Sequence, residues 1–118
     1  MSESAAVKPF VFERRDHAVV VRPQMKMMDD DQLKTLSRLI DEAAGADSGI
    51  TLVVLDLARI LILPSLALGL LVQVSNNCKA RQQGLKLVAL QPQIRQVFAI
   101  THLDKIFQFA DTPEAALA

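Results

Sequence analysis

The chain has 118 residues, enough for one domain with one hydrophobic core. Apolar residues make up 51% of it, a composition typical of a globular protein and not of a disordered one. The 13 basic residues balance the 13 acidic residues, so the charge gives no reason to expect a nucleic-acid surface or a polybasic membrane patch.

The single cysteine, Cys78, excludes an internal disulfide and a multi-cysteine zinc site. It fits a reducing compartment, and we expect a cytoplasmic protein. Residues 1–8 lack the apolar core of a signal peptide and are predicted to form a loose tail before one domain over residues 9–118. The apolar stretch 60–78 is interrupted by a proline and a serine, whereas a membrane span needs about 20 mainly apolar residues. A buried helix is therefore expected there, without membrane insertion.

The first elements are predicted to be a β-hairpin and a helix. Residues 10–13 and 18–22 are short β-like runs separated by a polar turn. Aspartates at positions 29–31 then precede apolar residues at helical spacing, which predicts a helix over about residues 30–44 with an aspartate as its cap. Three methionines lie within residues 25–28, where they either pack in a loop or form an adaptable binding surface.

The centre of the predicted fold is the stretch over residues 50–78. Residues 50–57 are apolar on both alternating faces, as in a strand that is covered on both sides. Apolar residues then recur at helical spacing, at Leu66, Leu70, Val74 and Cys78, with Leu68, Leu71 and Ser75 beside them. This spacing predicts a helix with a wide buried face. Pro64 separates strand from helix, and Ser65 lies where a helix N-cap is expected.

The remaining sequence predicts two further strands and two helices. Gly84 is expected to end the central helix, and residues 85–90 are predicted to form another apolar strand. Pro92 favours the start of a short helix, and residues 105–109 are predicted to form a last strand. The Asp-Thr-Pro sequence at 111–113 is typical of a capped helix start, with the aspartate or the threonine as cap.

This order of elements predicts a single α/β domain. Two hairpin strands precede alternating helices and strands, so we expect a mixed β-sheet with helices packed mainly on one face. The residues expected in its core include Leu52, Val54, Leu70, Val74 and Leu87.

Residues that could carry catalysis are sparse. The four glycines are too scattered for a phosphate-binding loop, and His17 and His102 have no metal-ligand spacing, so neither a cofactor nor a metal is predicted. Cys78 lies on the predicted buried face, where an inert thiol is expected. Asp56 is either a functional carboxylate or a strand-end group that bonds to nearby backbone. We therefore do not expect an enzyme.

Ser65 is the most informative polar residue. A role as helix N-cap would account for it without any further function. The alternative is a regulatory hydroxyl at an exposed helix N-terminus, where a phosphate would be favourably placed. The spacing of the residues favours the cap.

Across these residues the sequence resembles a STAS domain, the module of bacterial anti-sigma factor antagonists. Residues 55–57 match the family's Leu-Asp-Leu strand, and residues 64–69 fall at its Asp-Ser-Ser-Gly-Leu-Gly signature. The sequence agrees with that signature at Ser65, Leu68 and Gly69, and it differs from the signature at Pro64, Leu66 and Ala67. Residues 84–98 resemble the family's strand, proline and basic helix. Residues 101–107 resemble its closing segment, with His102 in place of a glycine. The resemblance covers nearly the whole chain.

The resemblance implies a STAS-like fold and a regulatory binding module. Its partner would be an anti-sigma factor with serine kinase activity, and binding would release the sigma factor that the kinase holds. Phosphorylation of Ser65 would block that binding. The family layout implies that Ser65 is exposed and that Met27 lies nearby. The implied partner-binding residues are Met28, Asp29, Pro64, Ser65 and Leu66.

Two further hypotheses remain open, because Pro64 replaces the aspartate of the signature. The first is a structural or scaffolding STAS domain without phosphorylation, as in a stressosome-like assembly or a transport-complex subunit. The second is a small-ligand sensor. The sequence does not indicate an oligomeric state.

Overall fold

A computed structural model describes residues 9–45 and 48–117 and shows one mixed β-sheet. Its strands are β1 (Phe10–Arg15), β2 (Ala18–Pro23), β3 (Leu52–Asp56), β4 (Gly84–Val88) and β5 (Gln108–Ala110). Their order in the sheet is β1-β2-β3-β4-β5, the same as in the chain. The β1–β2 pair is antiparallel and the other pairs are parallel, which confirms the predicted mixed sheet.

Helices cover both faces of this sheet unequally. They are α1 (Asp30–Ala43), α2 (Ser65–Ala80), α3 (Pro92–Ile100) and α4 (Pro113–Leu117). The first three pack in one large apolar core against alternate strand residues such as Val19 and Leu55. The short α4 covers the other face, where Ala116 packs with Val20 and Val54. The prediction of helices mainly on one face is thus confirmed, and no described helix is long and apolar enough to cross a membrane.

Several local predictions are confirmed by specific contacts. The hairpin turn contains Asp16 with a φ of 54°, in the left-handed region that aspartate tolerates better than most residues. Pro92 is the first residue of α3, where its missing N–H has no helical partner to lose. Thr112 caps α4, since its hydroxyl oxygen accepts a hydrogen bond from the Ala115 N–H at 3.0 Å.

The predicted buried face of α2 is partly wrong. Leu66 is 78% exposed and Leu70 is only half-buried, and Ala67, which was not predicted on that face, is fully buried. The predicted Leu68, Leu71 and Ser75 are buried as expected. The helix is apolar around most of its circumference, so spacing alone does not specify which side meets the sheet. Leu52 is also only half-buried and packs at the margin of the smaller core. The other expected core residues, Val54, Val74 and Leu87, are buried.

Two predicted boundaries also differ. Helix α2 ends at Ala80, before Gly84, and Gln82 adopts the left-handed conformation instead, with a φ of 60°. Gly84 is the first residue of β4. The last strand begins at Gln108 and not at Lys105, which is the last residue of a 3-10 turn over Leu103–Lys105.

A polar network closes the end of the domain where α1 and α2 terminate. The Gln83 side chain donates hydrogen bonds to the carbonyl oxygens of Ala44, at 2.7 Å, and Ile50, at 3.0 Å. Arg81 pairs with Asp41 at 2.6 Å. These contacts join the C-terminal ends of both helices to the segment before β3, at the opposite end of the sheet from Ser65.

Candidate functional site

Two loops join at the end of the sheet where β2 and β3 terminate. The carbonyl oxygen of Lys26 accepts hydrogen bonds from the N–H groups of Leu61, at 2.7 Å, and Ile62, at 3.0 Å. Met27 and Ile62 also form an isolated parallel bridge. The loop before α1 therefore adjoins the loop before α2, as the family layout implied.

Buried side chains anchor the loop between β3 and α2. Leu57, Ile60 and Leu63 are buried, and the residues between them are exposed. The side chain of Gln91, at the start of α3, donates a hydrogen bond to the Ala58 carbonyl oxygen at 2.7 Å. Because buried and exposed residues alternate, the exposed side chains of the loop face outward. The loop backbone is hydrogen-bonded to Lys26 on one side and to Gln91 on the other.

Ser65 is exposed and is the first residue of α2. The N-cap is Pro64, in an extended conformation, and its carbonyl oxygen accepts a hydrogen bond from the Ala67 N–H at 2.9 Å. The prediction of Ser65 as the cap is therefore wrong, because the cap position lies one residue earlier. No side chain in the described part of the chain caps this helix start, and its first turn contains no acidic residue. The Ser65 hydroxyl is thus free of the capping role that was its simplest explanation.

Large apolar side chains are exposed around Ser65. Leu66 is 78% exposed, Ile62 55%, Met27 46% and Leu61 40%. We call these four residues together with Ser65 the tip surface. An exposed apolar cluster of this kind marks a site of contact with another protein or a ligand.

The other predicted partner-binding residues are less accessible. Met28 is fully buried, so its side chain belongs to the core and cannot form part of the exposed surface. Asp29 is half-buried, and its Oδ1 accepts a hydrogen bond from the Gln32 N–H at 2.9 Å, which caps α1. Pro64 is half-buried beside the exposed Ser65.

A groove adjoins the tip surface. Its lining residues are Gln24, Met25, Lys26, Ala58, Arg59 and Leu61. Arg59 donates a hydrogen bond to the Gln24 side-chain oxygen, and both Arg59 and Lys26 are exposed. The lining therefore contains two cations and no carboxylate.

Sequence reasoning missed the part of this surface that lies between β3 and Pro64. The signal was an apolar run that continues beyond Asp56, where the strand ends, as far as Leu63. Such a run cannot all be buried in a loop, and Leu61 and Ile62 are the residues left outside.

The remaining polar candidates have structural roles or no described partners. Asp56 accepts a hydrogen bond from the Ala58 N–H at 3.0 Å and lies 3.5 Å from Arg22, which confirms the strand-end interpretation. Cys78 is fully buried, and burial raises its pKa. His17 and His102 are exposed at separate places. Within residues 9–45 and 48–117 no cluster of three metal-ligating side chains occurs.

Comparison with known proteins connects this geometry to a family. The sequence profile of the STAS domain matches residues 10–116. BtrV of Bordetella bronchiseptica, a candidate anti-sigma factor antagonist, is 38% identical over 76 residues. That match covers 64% of this chain and 66% of BtrV, slightly under two thirds of its length.

Solved structures share the fold. An anti-sigma factor antagonist from Mycobacterium paratuberculosis is 28% identical, with a TM-score of 0.74 over 92% of this chain and 89% of that one. A candidate anti-sigma factor antagonist from Thermotoga maritima is 19% identical, with a TM-score of 0.79 over 92% of this chain and 91% of that one. At 19% identity, the similarity to the Thermotoga maritima protein shows a shared fold and nothing about function.

Proposed function

The chain belongs to the STAS domain family, and from that premise we propose that it acts as an anti-sigma factor antagonist. It is a protein-binding module and not an enzyme. The tip surface binds an anti-sigma factor that has serine kinase activity, and this kinase phosphorylates Ser65. Phosphorylation ends the association.

The observation that carries the proposal is the exposed Ser65 hydroxyl at the start of α2, beside exposed apolar side chains. A kinase can transfer a phosphoryl group only to a hydroxyl that it can reach, and Ser65 meets that requirement. Leu66 and Ile62 provide apolar contact area next to it. The partner would thus dock on the same patch of surface that contains the phosphorylated hydroxyl.

The start of α2 suits a phosphate in the free protein. A phosphoserine carries about −1.5 to −2 charges at pH 7. The helix N-terminus favours such a charge by roughly 0.3–1 kcal/mol, and the first turn has no acidic side chain to repel it. The fold therefore tolerates the phosphate.

The same phosphate is unfavourable in the complex. An apolar partner surface would strip water from it without replacing the lost hydrogen bonds. Because the phosphate is tolerated in the free protein and is unfavourable in the complex, phosphorylation of Ser65 would release the partner.

Two measurements test the proposal together. The first is incubation with the cognate serine-kinase anti-sigma factor and ATP, followed by mass spectrometry, which should locate the phosphate on Ser65. The second is titration of that kinase with Ser65→Asp, which should bind about tenfold more weakly or worse, about 1.4 kcal/mol. Ser65→Ala should keep its affinity. Asn76→Asp adds the same charge at an exposed site farther along α2 and serves as the matched control.

A second function is favoured by the apolar character of the tip surface. Four large apolar side chains suit a permanent contact as well as a switched one. Unchanged affinity of Ser65→Asp, with no phosphate on Ser65, would support a scaffolding domain in a stressosome-like or transport-complex assembly and would contradict partner switching.

A further inference from the structure

We infer that the partner segment that covers the tip surface is an amphipathic helix with acidic residues beside its apolar face. This inference rests on the proposed function and specifies the chemistry of the partner. It depends on the two cations of the adjoining groove, Lys26 and Arg59, together with the apolar residues that continue from them.

The two cations are available for a partner. Both are exposed, and neither forms an ion pair with a carboxylate in the described part of the chain. Arg59 is oriented by the Gln24 side-chain oxygen, which is neutral and leaves its charge uncompensated. An acidic side chain on a partner would be the first carboxylate to meet them.

The acidic residues of this end of the domain are mostly engaged elsewhere. Asp56 faces Arg22 and bonds to the Ala58 N–H. Asp29 caps α1 through the Gln32 N–H. The exposed Asp30 and Asp31 lie in the first turn of α1 and do not line the groove. The groove side of the tip surface is therefore positively charged.

The charged and apolar parts are continuous. Leu61 belongs to both the groove lining and the tip surface, and Met27 directly follows Lys26 in the chain. One stripe of apolar side chains on a partner helix, at spacings of three and four residues, would pack against the exposed Met27, Ile62 and Leu66. Acidic residues on the flank of that stripe would then meet Lys26 and Arg59.

An acidic partner would also strengthen the switch. The family's aspartate is absent at Pro64, so the unmodified tip surface has no carboxylate next to Ser65 to repel acidic side chains. A phosphate on Ser65 would add about two negative charges at that surface and oppose such a partner directly. Phosphorylation would thus offset the two positive charges that the partner meets.

Two synthetic helical peptides test the inference without the natural partner. Both carry the same leucine stripe, and the flanking positions are glutamate in one and lysine in the other. We expect the glutamate peptide to bind about threefold to tenfold more tightly at low salt, in fluorescence anisotropy, because two exposed ion pairs contribute modestly. The preference should shrink as salt is added.

Variants identify the groups responsible. Lys26→Glu and Arg59→Glu should each reduce the preference, and the double variant should reverse it. Lys79→Glu, near the end of α2 away from Ser65, is the matched charge control and should change nothing. Leu66→Ser should weaken both peptides equally, because it removes apolar contact and no charge.

Three results would overturn the inference. The first is that the lysine peptide binds as tightly as the glutamate peptide or more tightly. The second is that Lys79→Glu reduces the glutamate preference as much as Lys26→Glu or Arg59→Glu does. The third is that the protein binds vesicles of anionic lipid although it binds neither peptide. The outcome is separable from that of the proposed function. Phosphate on Ser65 without a glutamate preference would reject only the acidic partner, whereas a glutamate preference without phosphorylation would reject only the switch.

Discussion

Met27 and Ile62 pair through their backbones in a parallel bridge, although they lie in two different loops. The bridge and the two hydrogen bonds to the Lys26 carbonyl oxygen hold both loops in one arrangement before any partner is present. Their exposed side chains are therefore displayed side by side. A surface that is already ordered loses less conformational entropy on binding than a mobile loop does.

Leu66→Ser should separate binding from stability. Because Leu66 is 78% exposed, we expect its replacement to change the free energy of unfolding by no more than about 0.5 kcal/mol. Partner affinity should fall about tenfold, as for a central apolar contact. Ile100→Ser is the control, since Ile100 is 68% exposed at the far end of α3 and should affect neither quantity. Equal effects of both variants on affinity would argue against the tip surface as the docking site.

Leu71→Ala should destabilise the fold by about 2–5 kcal/mol, because Leu71 is fully buried between α2 and the sheet. Leu70→Ala should cost clearly less, because Leu70 is only half-buried. Urea denaturation of the two variants measures the difference. A larger loss for Leu70→Ala would mean that α2 presents a different face to the sheet.

Asp29→Ala should remove the cap of α1 and cost about 0.5–2 kcal/mol. Asp29→Asn should retain most of the stability, since an asparagine oxygen can accept the same hydrogen bond from the Gln32 N–H. Asp31→Ala, at an exposed position in the first turn, is the matched control for loss of one acidic charge near the helix start. Thermal unfolding of the three variants would reveal whether the cap or the charge matters.

His102→Gly should stabilise the protein by up to about 1 kcal/mol. His102 has a φ of 62°, in the left-handed region where a side chain is strained and glycine is not. His102→Ala should give no such gain, because alanine keeps the Cβ atom that causes the strain. A loss of stability on His102→Gly in chemical denaturation would show that the imidazole makes a contact worth more than the strain.

Cys78 should react with a thiol reagent only after unfolding. Burial raises its pKa, partly opposed by Arg81, so the folded protein holds the proton at a pH where the unfolded chain releases it. Stability should therefore fall as pH rises above the ordinary thiol pKa of about 8.5. Cys78→Ala should lack this component of the pH dependence. Rapid labelling of the native protein at neutral pH would contradict the buried position.

The sequence predicted those features that depend on local chemistry. The β1–β2 hairpin follows from two short apolar runs around a polar turn, and the start of α3 follows from Pro92. The Thr112 cap and the Asp29 cap follow from side chains that bond to the next turn of helix. Each of these signals acts over a few residues, so no knowledge of the tertiary structure was needed.

Features that depend on distant packing were not predicted. The orientation of α2 is set by which residues meet the sheet, and an almost uniformly apolar helix carries little information about that. The N-cap of α2 is Pro64 and not Ser65, and the loop before it is bridged to Met27, which is far away in the sequence. The burial of Met28, next to the exposed Met27, likewise depends on how that loop crosses the sheet end.

The agreement between strand order and chain order has a consequence for synthesis of the protein. Each strand after β1 pairs with the strand made just before it, so a chain emerging from the ribosome never has to leave a gap for a strand still to come. The sheet can grow at one edge, with β5 added last beside β4. An incomplete chain would then expose the edge of the strand made last, and the next strand to be made covers that edge in turn.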